Sequence, residues 1–413
     1  MPHIRPYAFT FALAAALALG ACQSSAPVAT APATAPAAAT AKPAPRPVDE
    51  NLTSLDGSLA GIVARRAVLH DFKLKSGAVL KDVVVEYETY GKLDESGTNA
   101  ILVAHGNSST QHAAGRYQPL KSPPNVPPAA LGWWDAIIGP GKALDTKRYF
   151  IVSSNMLGGA YGTTGPRSPN PATGRPYGPD FPQIELEDMV AVQRALLESI
   201  GVKHLVAVAG PSYGGFLAFQ WAISYPDMVD GIVAVVTSPT GGHDPKAVDN
   251  LVARLARDPL WSGGRYYERK NAMVETLTQI RIDTLRRYGL EKELEARYPD
   301  KAARYDVIYR VSHSWAETFD ANSLVVQRRA AEFRDQSRDF GRIKAKVLYI
   351  LSTSDQVFPT SLAPKVMGQL KAAGVDATYF ELDSRDGHLA GTQDAAKFDP
   401  ALREFLARLP APR

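Results

Sequence analysis

The sequence predicts an α/β fold: a mostly parallel central sheet with helices on both faces and a helical cap inserted late in the chain. Three observations predict it. Short continuous apolar runs alternate with segments of helical period, a glycine-flanked turn joins one such run to a helix, and one long Arg-, Glu- and Tyr-rich stretch breaks the alternation. Strands covered on both faces read as unbroken apolar runs, the pattern of a parallel sheet.

The elements follow in order. Phe72 to Val79 and Val83 to Tyr90, broken by Ser76-Gly77 and Lys81-Asp82, read as opening antiparallel strands. Buried-type strands come next at Ile101 to Ala104, Tyr149 to Val152 and Leu205 to Ala209. Between the last two, Leu186, Met189, Val190, Leu196, Leu197 and Ile200 recur at helical spacing over Glu185 to Ile200. Gln193 is the one polar break in that stripe, and Gly201 stops the helix. Ile232 to Val236, Val347 to Leu351 and Thr378 to Leu382 complete the strands, the last two separated by a helix around Leu362 to Ala373. The stretch 243–340 looks helical and holds no convincing buried strand, so it reads as the cap; residues 49–242 and 341–413 form the core.

The most informative residues are Gly210-Pro211-Ser212-Tyr213-Gly214. They lie between the strand Leu205 to Ala209 and a helix beginning near Gly215. Strand, G-x-S-x-G and helix together make a nucleophile elbow, a turn so sharp that the serine hydroxyl stands clear of the backbone. Ser212 is the expected nucleophile. Elbows of this kind belong to the α/β-hydrolase fold, where the acid and then the histidine follow the serine along the chain. That order selects His388, the one histidine beyond the late strands, in a loop at the carboxyl edge of the sheet. Asp355, just past the strand Val347 to Leu351, is the expected acid, with Asp383 and Asp386 as rivals in the histidine's own segment. A carboxylate there fixes the imidazole tautomer and stabilises the imidazolium that forms when the serine loses its proton. Donors for the oxyanion are expected from the backbone N–H of Tyr213 and from the loop after Ala104, at Asn107. His105 reads as structural rather than as a second base.

Metal and nucleotide chemistry find no support in the residues. There is no H-E-x-x-H and no cysteine cluster; Gly139-Pro140-Gly141-Lys142 is followed by Ala143 where a phosphate loop needs Ser or Thr. No cofactor is expected. The net charge of +4 is not gathered into a run, so nucleic acid is not an expected partner either.

Several motifs together resemble the homoserine O-acetyltransferase family. They are Gly132-Trp133-Trp134-Asp135, Gly139-Pro140-Gly141-Lys142, Asn155-Met156-Leu157-Gly158-Gly159, Gly162-Thr163-Thr164-Gly165-Pro166, Asp180-Phe181-Pro182 and the elbow. The likeness is close from Glu86 to Ser238 and looser near the C-terminus. It implies an α/β-hydrolase core with a helical cap, a triad at Ser212, Asp355 and His388, an acyl-serine intermediate, and a homodimer formed through the cap. Departures from the family are equally specific. Its transferases carry an aspartate after the catalytic histidine to hold the acceptor's amino group; Leu389 stands there. The family's cap arginine, which binds the acceptor's carboxylate, has Glu275 or Thr276 in its register, with Arg281 close by. Pro211 and Tyr213 replace a small residue and a methionine in the elbow.

The N-terminus reads as an address. Arg5 precedes the apolar run Ala8 to Leu19, too short to span a bilayer as a stable helix, and residues 1–21 form an export signal. Leu19-Gly20-Ala21-Cys22 resembles the bacterial lipobox, and Cys22, the sole cysteine, is the expected lipidation site. Residues 22–48 are an Ala/Pro/Thr-rich tether without a periodic apolar face. By the lipoprotein sorting pattern Gln23, in place of aspartate, points to the outer membrane, with the enzyme facing the periplasm. The expectation is a lipid-anchored carboxylic-ester hydrolase taking a small-molecule acyl ester. The rivals are acyl transfer by the same triad and a non-enzymatic scaffold.

Overall fold

The computed structural model describes residues 59, 63–116, 131–240, 246–332 and 335–412. The expected export signal (1–21), Cys22 and the whole of the expected tether (22–48) lie outside the described residues. The strands are β1 (Val63–Lys73), β2 (Val79–Tyr90), β3 (Ala100–Ala104), β4 (Phe150–Ser154), β5 (Leu205–Pro211), β6 (Val229–Val235), β7 (Lys346–Ser352) and β8 (Ala377–Leu382). They form one sheet in the order β1-β2-β4-β3-β5-β6-β7-β8. β1 pairs with β2 and β2 with β4 antiparallel, and every pair from β4 to β8 is parallel.

The opening hairpin differs from its expected boundaries. Ser76-Gly77 does make the turn, with Gly77 at φ +88°, but Lys81-Asp82 lies inside β2, and β1 starts at Val63. Lys81 and Asp82 are both exposed although consecutive, because the ladder is irregular there. Leu80 pairs with Phe72 and Asp82 with His70, with Asp71 at φ +49° between them, so charged side chains fit the strand as well as a turn.

Helices cover the sheet: α1 (Leu186–Ser199), α2 (Tyr213–Ser224), α3 (Ala247–Leu255), α4 (Val274–Arg287), α5 (Leu290–Leu294), α6 (Lys301–Ala316), α7 (Ala321–Glu332), α8 (Ala363–Ala372), α9 (Ala390–Gln393) and α10 (Ala395–Ala407). Each strand feeds two cores because successive side chains point to opposite faces. Ala100, Leu102 and Ala104 of β3 join one core with α1, α2 and α8; Ile101 and Val103 join the other with Trp134 and α10. Gln193, the polar break in α1, is buried and bridges both neighbours: it accepts from Trp221 Nε1 at 2.8 Å and donates to Ser154 at 3.3 Å. A buried amide satisfied in this way ties α1 to α2 and β4 without a desolvation penalty.

α3 to α7 lie between β6 and β7, as the interruption in strand rhythm predicts. α4 organises them. Its Leu277 and Ile280 pack with Val248, Leu255 and Ala316, and its Ile282 and Leu285 pack with Leu294 and Ile308. The far end of the insertion returns to the core early: a 3₁₀ turn over Gln336–Arg342 stacks Phe340 on Phe219 of α2, with ring centroids 5.7 Å apart. Among the described residues no helix is long and apolar enough to cross a membrane.

Candidate active site

Ser212 sits at the tip of β5 with φ +54° and ψ −115°, a conformation that side chains rarely adopt. Neighbours hold it there. Its N–H donates to Val235 O at 2.8 Å, and Thr237 Oγ1 donates to its carbonyl at 2.7 Å. The flanking glycines are required by close approach to β3. A Cβ on Gly210 would lie 2.4 Å from Ala104 O, and one on Gly214 only 2.0 Å from it. The elbow therefore presses its backbone on the carboxyl end of β3, and only hydrogen fits between.

His388 Nε2 lies 2.9 Å from Ser212 Oγ, and His388 Nδ1 lies 2.8 Å from Asp355 Oδ2. The sequence-predicted residues thus meet at one rim of the sheet from three separate loops. Asp355 is 3% exposed and His388 6%. Asp355 Oδ1 accepts from the N–H groups of Val357, at 2.7 Å, and Phe358, at 3.2 Å, which aims the other oxygen at the imidazole. With the carboxylate as acceptor, Nδ1 carries the proton and Nε2 is free to accept from the serine hydroxyl. Neither rival acid takes this place. Asp383 is exposed and Asp386 is half-buried, and no contact joins either to the imidazole.

The histidine is also held from the cap, by a residue that sequence reasoning missed. Tyr288, just past α4, accepts from His388 N–H through its carbonyl at 3.0 Å, and its ring centroid lies 4.4 Å from the imidazole. The approach is so close that a Cβ on Gly387, which has φ +57°, would lie 2.3 Å from that carbonyl. The one sequence signal was the glycine beside the histidine. Burial pushes the Tyr288 hydroxyl above its ordinary range, so it stays protonated.

Of the expected oxyanion donors, Tyr213 opens α2, where its N–H has no intrahelical acceptor. Asn107 lines the same cavity as Ser212, and the ideal Cβ position of Gly106 is 3.8 Å from Ser212 Cβ. The Tyr213 ring points away from this work. Its hydroxyl donates to Gln327 O of α7 at 3.0 Å, pinning the cap to the elbow helix. His105 is structural: Nδ1 donates to Gly106 O at 2.8 Å, and burial lowers its pKa to about 4, so it is neutral.

The cavity above Ser212 has a volume of about 910 Å³ and is walled by core and cap together, among them Phe216, Phe358 and Tyr288. Beside Tyr288, Arg281 stands on the cap without a counter-charge. Its Nε is buried with no hydrogen-bond partner among the described residues, and its guanidinium lies 5.1 Å from the Trp315 ring centroid. Burial lowers its pKa, and the Tyr288 and Tyr161 hydroxyls lie near enough to act on it. Among the described residues no group of three or more His, Cys, Asp or Glu could hold a metal ion.

The α/β hydrolase fold family matches residues 102–392, which spans the elbow, the acid and the histidine. Homoserine O-acetyltransferase of Symbiobacterium thermophilum is 39% identical over 82% of this chain and 92% of its own. The chain belongs to the homoserine O-acetyltransferase-like family of α/β hydrolases. Similar solved structures include both an esterase and a transferase. Esterase E22 matches with 30% identity and a TM-score of 0.76, covering 84% of this chain and 100% of that one. Homoserine O-acetyltransferase from Bacillus anthracis matches with 30% identity and a TM-score of 0.75, covering 84% and 98%. The protein is therefore an enzyme of this family, and the class of its reaction is the open question.

Proposed function

We propose that the protein is a carboxylic-ester hydrolase acting through Ser212, His388 and Asp355. The observation that carries this reading is the continuous relay from Ser212 Oγ to His388 Nε2 (2.9 Å) and from Nδ1 to Asp355 (2.8 Å), on the floor of an open cavity. Ser212 Oγ attacks the acyl carbonyl while His388 takes its proton; the Tyr213 N–H and the Asn107 loop receive the oxyanion. His388 then protonates the departing alcohol. Water adds to the acyl-serine, gives a proton to His388, and the acid leaves as Ser212 recovers its hydrogen. Leu389 favours water over an amino-acid acceptor. It is half-buried beside His388 and can offer an ammonium group no hydrogen bond.

The second reading is O-acyl transfer by the same relay, as the names of its relatives suggest. Arg281 favours it. The register of the family's acceptor-binding arginine falls on Glu275 or Thr276, yet Arg281, two helical turns before Tyr288, supplies a guanidinium whose Nε is buried without a hydrogen-bond partner among the described residues. The export signal and Cys22 argue the other way, because acetyl-CoA is a cytoplasmic donor; on this reading the enzyme is lipid-anchored in the cell envelope. Two assays separate the possibilities. Hydrolysis of short p-nitrophenyl esters, abolished by Ser212→Ala, supports the esterase. Thiol release from acetyl-CoA that depends on homoserine supports the transferase and overturns our ranking. A protein inert in both and unlabelled by a fluorophosphonate would be a non-enzymatic scaffold.

A further inference from the structure

The cavity above Ser212 is lined by four cations from four different helices: Arg254 of α3, Arg287 of α4, Arg328 of α7 and Lys365 of α8. One carboxylate, Asp283, lines it with them, and it is already engaged with Arg254 at 2.7 Å. Arg287, Arg328 and Lys365 have no ion-pair partner among the described residues, which leaves a surplus of three positive charges around one opening. Exposed lysines and arginines on a single helix face are ordinarily just solvated. Here the chain as a whole is almost balanced, at +4 over 413 residues, so three unpaired cations converging from cap and core on the same cavity is a local concentration. Low-dielectric walls such as Phe216, Phe358 and Leu362 focus a field of this kind toward the cavity interior.

We propose that the substrate is an acyl ester bearing an anionic group, a carboxylate or a phosphate, on the end remote from the scissile carbonyl. This rests on the ester-hydrolase reading and names its substrate class. The carbonyl lies at Ser212, the intervening chain follows the apolar wall, and the anion reaches the rim formed by Arg287, Arg328 and Lys365. The cavity volume of about 910 Å³ leaves room for such a chain beyond an acetyl group. Leu389 fits the same account: it stands beside His388 without a carboxylate for an ammonium group, and the one carboxylate lining the cavity, Asp283, is engaged with Arg254.

The test compares mono-p-nitrophenyl glutarate with p-nitrophenyl valerate, which share acyl length and differ in the terminal charge. The expected kcat/KM ratio favours the charged ester by about 10-fold at low salt, and the preference collapses near 0.5 M NaCl. In the double variant Arg328→Gln/Lys365→Gln the ratio falls toward one. Inorganic phosphate and free glutarate, titrated calorimetrically into Ser212→Ala protein, assign the head group by which binds more tightly. Heats lost in Ser212→Ala/Arg328→Gln/Lys365→Gln protein support the rim independently of turnover. A ratio near one in wild type, with no salt dependence and no heat from either anion, overturns the proposal. Cleavage of neither ester, with anion binding intact, counts against the hydrolase reading and leaves the anionic rim standing.

Discussion

Gly214→Ala and Gly368→Ala make the same chemical change and should have opposite results. At Gly214 the new methyl would lie 2.0 Å from Ala104 O and 2.8 Å from Ala104 C, and ordinary contact begins near 3.4 Å. The overlap is with backbone of a fully buried strand, so no rotamer can relieve it. Either α2 or β3 must move by about 1.4 Å. That shift displaces the Ser212 hydroxyl, whose contact with His388 is 2.9 Å, and a misplacement of that size costs on the order of 100-fold in turnover. Overpacking adds a stability loss at the upper end of about 1–3 kcal/mol. Gly368, inside α8, has no neighbour within 4 Å of the same methyl, and Ala is the better helix former by about 1 kcal/mol. Urea unfolding and p-nitrophenyl butyrate hydrolysis read both effects. The expected pattern is a lowered midpoint and a rate near background for Gly214→Ala, against a raised midpoint and normal rate for Gly368→Ala. A Gly214→Ala protein with wild-type midpoint and rate would refute the close approach of elbow and β3.

Three further outcomes follow from the same geometry. Tyr213→Phe deletes one neutral hydrogen bond to Gln327 O and should lower stability by about 1 kcal/mol; because the cap loses a tie to the elbow, KM should rise more than kcat falls. His105, whose pKa drops from 6.5 to about 4 on folding, binds its proton more readily in the unfolded chain, so its contribution is full above pH 6.5 and is lost as pH falls toward 4. The loss amounts to roughly 3 kcal/mol, and the urea midpoint of a His105→Gln protein should slope less steeply over that interval. Arg281→Met removes a half-buried charge that has no carboxylate partner among the described residues, so the midpoint should stay level or rise while activity toward carboxylate-bearing acceptors or esters drops. A destabilised Arg281→Met protein with unchanged specificity would mark that arginine as structural.

Much of this site was legible because its determinants are local or ordered. Ser212 declares itself through two glycines whose hydrogens face Ala104, and His388 through its place after the last strands. Asp355 follows from the strand it terminates, and the two backbone amides that aim it lie within three residues. What stayed hidden depends on distant partners. Gln193 reads as a flaw in a helical stripe until Trp221 is seen beside it. Tyr288 gives no local sign of its role, because that role exists only once α4 delivers its carbonyl to the backbone of Gly387 and His388. Lys81-Asp82 was misleading for a simpler reason. A half-exposed strand and a turn both accept charged residues, and pairing with β1 decided for the strand. The cationic rim was invisible for lack of a run: its members, Arg287, Arg328 and Lys365, lie on three helices far apart in the chain and meet only in three dimensions.

The central claim is that Ser212 is the nucleophile of an ester-cleaving relay. Intact-mass and peptide analysis after brief fluorophosphonate treatment tests it most directly. The account predicts a single adduct on Ser212, formed slowly in His388→Ala protein, and parallel loss of p-nitrophenyl ester hydrolysis. An adduct on another residue, or a Ser212→Ala protein that hydrolyses these esters at the wild-type rate, would contradict it.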